Sequence, residues 1–400
     1  MSGSKAGFSL VTHTTEPNNS AVTVYVVRSE EPVKVWGLEP EQRIHRQFKG
    51  LSVADVSWAA RGSYPRTKRV LLLRGDVVYD TPLLSALLNQ PGTRLERPTD
   101  NGTVRLAVHV PARQTEQARA WLTGEGLPPD GTTPCAPEHA GDAYRGKLRK
   151  REPPYCLQVD RATQRAVERR VYMAAYKGIT DAVTKHVWPV PAMWATRGCV
   201  RLGVTPNAVT LLSAVLVLAA LWAFATSAYG WGLLAAWLMT FLDTVDGKLA
   251  RVTLSSSKFG NLFDHGIDLV HPPLWYAAWA YGLVETGHAL PQPWLDWTVA
   301  AIFVGYVLGR LPEGYFTRRF GFELFVWTRF DSGFRQITAR RNPCLVLLTL
   351  AWLAGRPDLG ILATTAWILA SAVIHLLRTV QAERANTRGQ PVASWLKAPV

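Results

Sequence analysis

Cysteine is sparse in this 400-residue sequence. The four present, Cys135, Cys156, Cys199 and Cys344, are too scattered for a disulfide framework or a zinc site, and free thiols in a reducing setting are expected. A secretory signal is not expected either, because the opening MSGSKAGFSLVTHTTEPNNS offers only FSLV as an apolar run, far short of an h-region. Long apolar runs are missing from residues 1 to about 200, where charges are mixed and Pro and Gly frequent. No internal repeat points to a solenoid or array. The length suits two or three domains.

From Asn207 onward the character reverses and apolar runs dominate. Read against the roughly 20 residues needed to cross a bilayer, about six spans are expected, near 207–228, 231–250, 259–284, 295–312, 342–356 and 359–380. Basic residues sort to one side of them. Lys177, Lys185, Arg197 and Arg201 precede the first span, and Lys248, Arg251 and Lys258 fall between the second and third. Arg318, Arg319, Arg329, Arg335, Arg340 and Arg341 lie between the fourth and fifth, and Arg384, Arg388 and Lys397 follow the last. The opposite loops, AYGW and ETGHALPQPWLD, have no Lys or Arg, and the third has only Arg356. A cytoplasmic (inner) membrane protein with both termini in the cytoplasm is therefore expected. Trp231, Trp294 and Trp297 suit an interfacial belt.

Between Asp243 and Asp268 the chain reads DTVDGKLARVTLSSSKFGNLFDHGID. On a helix Asp243, Asp246, Gly247, Ala250 and Arg251 share one face, and Gly260, Asp264 and Asp268 follow one another at four-residue steps on a second. Like charges gathered at membrane depth need cations or protons to relieve their repulsion. All-oxygen ligation with no Cys or His at ligand spacing points to Mg2+, with Mn2+ or Ca2+ as substitutes. The spacing D-x2-D-G-x2-A-R-x8-G-x3-D-x3-D resembles, at all eight specified positions, the signature of the CDP-alcohol phosphotransferases, also called CDP-alcohol phosphatidyltransferases.

That resemblance implies a donor in which CDP carries an alcohol, an acceptor hydroxyl that attacks the β-phosphorus, and release of CMP. It implies two metal ions held by Asp243, Asp246, Asp264 and Asp268, with Asp268 also taking the acceptor's proton. By the same resemblance Gly247, Ala250 and Gly260 give the nucleotide room, Arg251 binds phosphate or orients a carboxylate, and Asn207 and Thr210 of the TPN-x-x-T run lie near the nucleotide pocket. On residues alone, that run is a helix cap. Homodimerisation is expected only from the resemblance.

The first 150 residues alternate strand-like runs (21–27, 54–59, 70–79, 103–110) with helix-like ones (39–50, 81–90, 111–124), which predicts a partly parallel sheet with helices against it. The run LLLRGDVVYDTPLLSALL resembles the central strand of sugar-phosphate nucleotidyltransferases, in which an acidic residue, here Asp76, helps to bind metal. Their glycine-rich loop is replaced by VVRSEEPVKVWGLEP, so a degenerate, regulatory or scaffolding domain is expected rather than an active cytidylyltransferase. The order of parts resembles bifunctional enzymes that join an inositol-phosphate cytidylyltransferase to a membrane CDP-alcohol phosphotransferase.

The fold expected is thus a soluble α/β nucleotidyltransferase-like domain (1–150), a linker and interfacial helices (151–203), a helical transmembrane domain (204–382) and a cytoplasmic tail (383–400). GEGLPPDGTTPCAPEHAGDAYRGKLRKREPP reads as a linker or long loop, and Asp160 to Lys185 as one basic surface helix. Arg340, Arg341 and Asn342, at a helix start, are placed near a phosphorylated acceptor. The expected activity is transfer of a phosphatidyl group from CDP-diacylglycerol in phospholipid synthesis, with a soluble donor such as CDP-inositol as the alternative. The partners expected are donor, acceptor and bilayer, with no nucleic acid. An ion-coupled transporter would spread its carboxylates over repeat-related broken helices instead of one compact motif.

Overall fold

The structure, a computed structural model, describes residues 22–29, 31–49, 51, 53, 55–58, 67–100, 102–256 and 258–397, with the backbone alone for 258–259 and 261–265. The chain forms two compact units. One holds residues 1–32, 40–141 and 154–160, and the other residues 33–39, 142–153 and 161–400.

The first unit is a mixed sheet flanked by helices. Strands β1 (Val22–Val27), β2 (Asp55–Trp58), β3 (Arg69–Arg74), β5 (Thr93–Thr99), β6 (Gly102–Pro111) and β7 (Thr133–Cys135) lie in the order β2-β1-β3-β6-β5-β7. β1 pairs in parallel with β2 and β3, β6 runs antiparallel between β3 and β5, and β7 joins β5 in parallel. The run expected as one strand over 70–79 is broken at Gly75–Asp76 into β3 and β4 (Val77–Tyr79). Helices α1 (Pro40–Phe48), α2 (Thr81–Leu88) and α3 (Thr115–Thr123) stand where helical runs were expected. Ile44 and Phe48 of α1 and Leu83, Leu84 and Leu87 of α2 bury against Val24, Leu71 and Leu73, while Trp121 and Leu122 of α3 pack with Val70, Leu72 and Val108. Alternate residues of β3 thus face opposite layers, and both faces of the sheet are covered.

The stretch expected as a linker is folded. β7 comes from it, the hairpin β8 (Tyr144–Arg145) and β9 (Lys150–Arg151) follows, and β10 (Cys156–Gln158) pairs antiparallel with β4. Its Pro and Gly residues punctuate very short strands and do not keep the segment open. The two units therefore share residues 142–160 piecewise, where a single cut at 150 was expected.

The second unit is helical. Asp160 to Lys185 is not one helix: α4 (Gln164–Ala174) ends, and only a short π-helical turn, Val183–Val187, follows. The interruption has a steric cause at Gly178, whose N–H donates to Leu148 O at 2.8 Å. A Cβ on Gly178 would meet Lys150 Cβ at 2.6 Å and Arg149 O at 2.8 Å, so the backbone turns here against the hairpin. Pro189 opens α5 (Pro189–Leu202), where its missing N–H costs nothing.

Six further helices occupy the places of the six expected spans: α6 (Pro206–Ala225), α7 (Tyr229–Val252), α8 (Lys258–Gly282), α9 (Trp294–Phe320), α11 (Arg341–Leu353) and α12 (Pro357–Thr387), with the short α10 (Arg329–Phe334) before α11. Among the described residues three of them, α6, α9 and α12, are long and apolar enough to cross a membrane by themselves. α7 and α8 carry the aspartate motif, and α11 has 13 residues. Phe224, Trp275, Tyr276 and Trp279 fill the core, and the indole N–H groups of Trp275 and Trp279 reach Val217 O (2.9 Å) and Pro357 O (3.0 Å). Their polar tips are thereby satisfied where no water reaches. On α6 the outward residues are large and apolar, with Leu218 66% and Trp222 69% exposed. A membrane-facing surface would be built this way.

Candidate active site

The site starts from two helices and a cap. Thr205 ends the approach to α6 and its hydroxyl accepts from Ala208 N (3.3 Å), with Pro206 in the first turn. That start orients Thr210, whose Oγ1 donates to Asp246 Oδ2 at 2.6 Å. Asp246 is 4% exposed, so this bond satisfies a carboxylate that cannot reach water freely. Asn207, on the same turn, is exposed and its side chain makes no hydrogen bond among the described residues.

One helical turn before Asp246, Asp243 faces Arg341 from α11: Nη2 lies 2.5 Å from Asp243 Oδ2, while Nη1 lies 2.5 Å from Asp268 Oδ1. One guanidinium therefore bridges carboxylates of α7 and α8. Gly247 leaves space that the Arg251 guanidinium fills, since a Cβ there would sit 3.1 Å from Arg251 Nη2. Ala250 follows on the same face, half-buried, and Gly260 is half-buried at the start of α8. The side chain of Asp264 lies outside the described residues.

Asp268 is fixed by its backbone as well. Pro272 lies inside α8 and has no N–H, so the Asp268 carbonyl four residues earlier lacks its helical donor. The Tyr306 hydroxyl of α9 donates to that carbonyl at 3.4 Å and itself accepts from Arg310 Nη2 at 3.0 Å.

Beside Asp268 opens a cavity of about 730 Å3. Among the described residues six arginines line it, Arg149, Arg310, Arg318, Arg335, Arg340 and Arg341, against the four carboxylates of Asp181, Asp268, Glu313 and Glu323. Four of these arginines are paired: Arg341 with Asp243 and Asp268, Arg149 with Glu323 at 2.5 Å, Arg310 with Glu313 at 3.7 Å, and Arg340 with Glu313, which His375 Nδ1 also approaches at 3.3 Å. Arg335 differs. It is 7% exposed, and neither its Nε nor its Nη1 has a hydrogen-bond partner among the described residues. Burial, then the nearby Arg340 and Arg149, push its pKa below the ordinary arginine value, and the fields of Asp181 and Glu313 only partly offset them.

Asn342, expected at the acceptor, is engaged elsewhere: its Nδ2 donates to Asp181 Oδ1 (2.9 Å) and lies 3.1 Å from Thr184 Oγ1. Burial pushes the Asp181 carboxyl up, but the hydrogen bonds from Thr184 N–H and Asn342, with the field of Arg335, outweigh it and hold the pKa below the usual value. The structure thus divides the expected trio. Arg341 serves the aspartates, Arg340 serves Glu313, and Asn342 serves Asp181.

Sequence reasoning missed Arg149, Asp181, Arg310, Glu313 and Arg335 as site residues. Arg335 was visible only as one charge of a basic loop. Glu313 carried the best signal, a carboxylate three residues after Arg310 in a long helix whose middle is apolar.

Chemically, the carboxylates suit a divalent cation. Their oxygens come from two helices, and Arg341 already stands between Asp243 and Asp268 as a monovalent stand-in. Among the described residues no three His, Cys, Asp or Glu side chains converge on one point. The donor set fits a hard, oxygen-seeking ion.

Comparison with known proteins assigns the region. The family model for CDP-alcohol phosphatidyltransferase matches residues 203–316. Residues 203–316 are a CDP-alcohol phosphatidyltransferase domain. This phosphatidyltransferase domain contains the whole aspartate motif together with Arg310 and Glu313, while Arg149, Asp181, Arg335, Arg340 and Arg341 lie beyond it.

A Rubrobacter xylanophilus protein named bifunctional IPC transferase and DIPP synthase is 32% identical over 225 residues, covering 53% of this chain and 46% of that protein. The phosphatidylinositol phosphate synthase of Mycobacteroides abscessus is 36% identical over 89 residues, 20% of this chain and 40% of that protein. The chain thus spans less than half the length of each of these two relatives. Two crystal structures of Mycobacterium tuberculosis phosphatidylinositol phosphate synthase, one with CDP-DAG bound and one with manganese and citrate, each align with 47% of this chain at a TM-score of 0.35. The alignments cover 92% and 88% of those chains at 18% and 20% identity.

Proposed function

We propose that this protein is an integral membrane transferase that moves a phosphoalcohol from a CDP-alcohol to an acceptor hydroxyl and releases CMP. The observation that carries the reading is the contact between aspartates and cavity: Asp268 belongs both to the Arg341-bridged carboxylate pair and to the wall of the arginine-lined space. A donor pyrophosphate at the aspartates and a phosphorylated acceptor in the cavity would meet at that residue.

Asp243, Asp246, Asp264 and Asp268 are proposed to hold divalent cations, Mg2+ or Mn2+, and two ions suit four carboxylates. When bound, such ions neutralise pyrophosphate charge and the charge gathering on the departing CMP oxygen. The chain's own residues do the rest. Thr210 keeps Asp246 oriented, Gly247 and Ala250 leave the α7 backbone open to the nucleotide, and Arg251 lies over that gap. Arg335, with Arg340 behind it, binds the acceptor phosphate through charge-assisted hydrogen bonds. One oxygen of Asp268 is held by Arg341 and the other takes the acceptor's hydroxyl proton. The new oxygen–phosphorus bond forms as the bond to CMP breaks, and CMP leaves with the bridging oxygen.

The six helices in the expected places are proposed to be six spans, with both termini and the site on the cytoplasmic side of the inner membrane. Homodimerisation is part of the same proposal, carried by the family resemblance alone. The layout proposed for the chain keeps the α/β part and the linker before a transmembrane domain of 204–382 and a cytoplasmic tail. The α/β unit is proposed to be a degenerate nucleotidyltransferase. Asp76 there accepts from Arg74 Nε (2.8 Å) and Nη2 (2.5 Å) and from Gln158 Nε2 (3.0 Å), which consumes the carboxylate a metal would need.

The favoured donor is CDP-diacylglycerol, as the name of the Mycobacteroides relative supports. A soluble CDP-inositol donor is the second reading, supported by the name of the Rubrobacter relative and by the α/β unit ahead of the helices. Purified protein given either donor with inositol phosphate and Mg2+ separates them. A lipid-extractable product with CMP supports the first, a water-soluble product with CMP the second, and no CMP from either donor would sink both.

A further inference from the structure

A second cavity, of about 710 Å3, lies in the helical unit on the β8–β9 hairpin. Among the described residues five cations line it, Arg149, Lys150, Arg151, Lys185 and Arg329, and no aspartate or glutamate does. They come from three separate stretches of chain. The hairpin supplies the first three, with Arg149 in a left-handed conformation (φ 49°) and Gly178 pressed against it. The π-helical turn supplies Lys185, and the first turn of α10 supplies Arg329.

The chain's last described turn closes a further wall. Trp395 N–H donates to Trp327 O at 3.2 Å and its indole N–H to Ser332 Oγ at 2.9 Å. This places the Trp395 ring 5.4 Å from the Arg329 guanidinium. An aromatic face holds Arg329 in place and leaves its charge uncancelled.

Compensation is partial. Lys150 pairs with Glu152 at 2.6 Å and Arg149 with Glu323 at 2.5 Å, whereas Lys185 and Arg329 pair with no carboxylate among the described residues. A charge bias in a cytoplasmic loop needs only dispersed cations in water. A concave wall of one sign, assembled from distant segments with an indole and the Ile179 side chain beside it, concentrates anions that carry apolar carbon.

We propose that this cavity is a second anion site, separate from the aspartate site, that takes a phosphate group with an apolar skeleton attached. A phospholipid headgroup and a soluble phosphate ester share that chemistry. The inference does not depend on the transferase reading. Arg149 lines both cavities and is left intact in the test for that reason.

The test counts bound anions on the full chain in neutral detergent, comparing the wild type with a Lys185→Gln, Arg329→Gln double variant. The probes are radiolabelled inorganic phosphate, phosphatidylglycerol and, as a zwitterionic control, phosphatidylcholine. The variant is expected to bind one equivalent fewer than the wild type, or the same equivalent at least tenfold more weakly, with its CMP release unchanged. Loss with phosphatidylglycerol alone identifies a lipid headgroup, and loss with inorganic phosphate as well identifies a soluble phosphate ester. Identical stoichiometry and affinity of both proteins for phosphate and phosphatidylglycerol would overturn the site. A variant that does not fold would be replaced by Arg329→Lys and Lys185→Arg, which keep the charge and must keep the binding.

Discussion

Asp76 in the sheet unit and Asp268 in the helical unit are both aspartates set beside a hydrophobic run, yet their surroundings part them. Asp76 is neutralised by Arg74, two residues away in the same turn, and accepts a further hydrogen bond from Gln158. Asp268 is neutralised by Arg341, 73 residues further on, which it shares with Asp243. A locally paired carboxylate can be satisfied without any ligand. One that must share a distant cation with a like charge stays open to a better cation, since a guanidinium brings one positive charge to two negative ones. Chemistry in this chain is proposed to sort by how charges are compensated, with Asp76 serving structure in one unit and Asp268 function in the other.

The comparison can be broken most sharply at Asp268. Asp268→Asn should leave the protein folded and able to bind donor but lower turnover by roughly 10²–10⁴-fold, the usual contribution of a positioned base. CMP release near the wild-type rate would remove the base from Asp268. Next in size is Arg335→Gln, expected to raise the acceptor's KM about 30-fold, equivalent to roughly 2 kcal/mol for a charge-assisted hydrogen bond, with the donor's KM little changed. Equal changes in both constants would mean that the cavity does not hold the acceptor. Arg340→Ala is a poorer probe, because it takes from the buried Glu313 carboxylate its nearest cation, leaving Arg310 and His375, and should also lower expression and thermal stability.

Asp181→Ala tests the wall of the cavity as a structural element. Removing the carboxylate leaves Asn342 and the Thr184 N–H without their acceptor, at a cost of about 2 kcal/mol in stability. The sign with pH follows from the direction of its shift. A carboxyl held below its ordinary value of 3.8 contributes stability above that pH and loses it as the pH falls through its folded-state value. The stability difference between wild type and variant should therefore be full at neutral pH and shrink below about pH 3.8, as thermal melts across pH would show. A difference that grows on acidification would contradict the pairing.

The sequence was most legible where chemistry is local. The spacing from Asp243 to Asp268 placed the carboxylates on α7 and α8, and Thr210 was named from the TPN run that ends three residues before it. Long-range partners were hidden, since nothing in TARRNP says that Arg341 turns to the aspartates while Arg340 turns to Glu313. Arg335 read as one more basic residue because its lack of partners exists only after folding. In the sheet unit, β1, β6, α1 and α2 were visible from their apolar periodicity. β5, with RLERPT, has too little apolar content to announce itself, and β7 to β10 are two or three residues long, too short for any period to show.

The smallest expected effect lies in the sheet unit. Asp76→Asn should change CMP release by less than about twofold, as for substitutions remote from a site, and residues 1–160 alone should release no pyrophosphate from CTP with any sugar or polyol phosphate tested. Robust pyrophosphate release would show that the loop after β1 has been replaced by another way of holding a triphosphate.

The most direct test of the account is CMP release by the purified full chain from CDP-diacylglycerol or CDP-inositol, with inositol phosphate as acceptor, before and after chelation. The account predicts CMP with at least one donor in the presence of Mg2+, silence on chelation, and recovery when Mg2+ or Mn2+ is returned. CMP release that persists through chelation would contradict the metal role of the aspartates, and its absence under every condition would contradict the transferase itself.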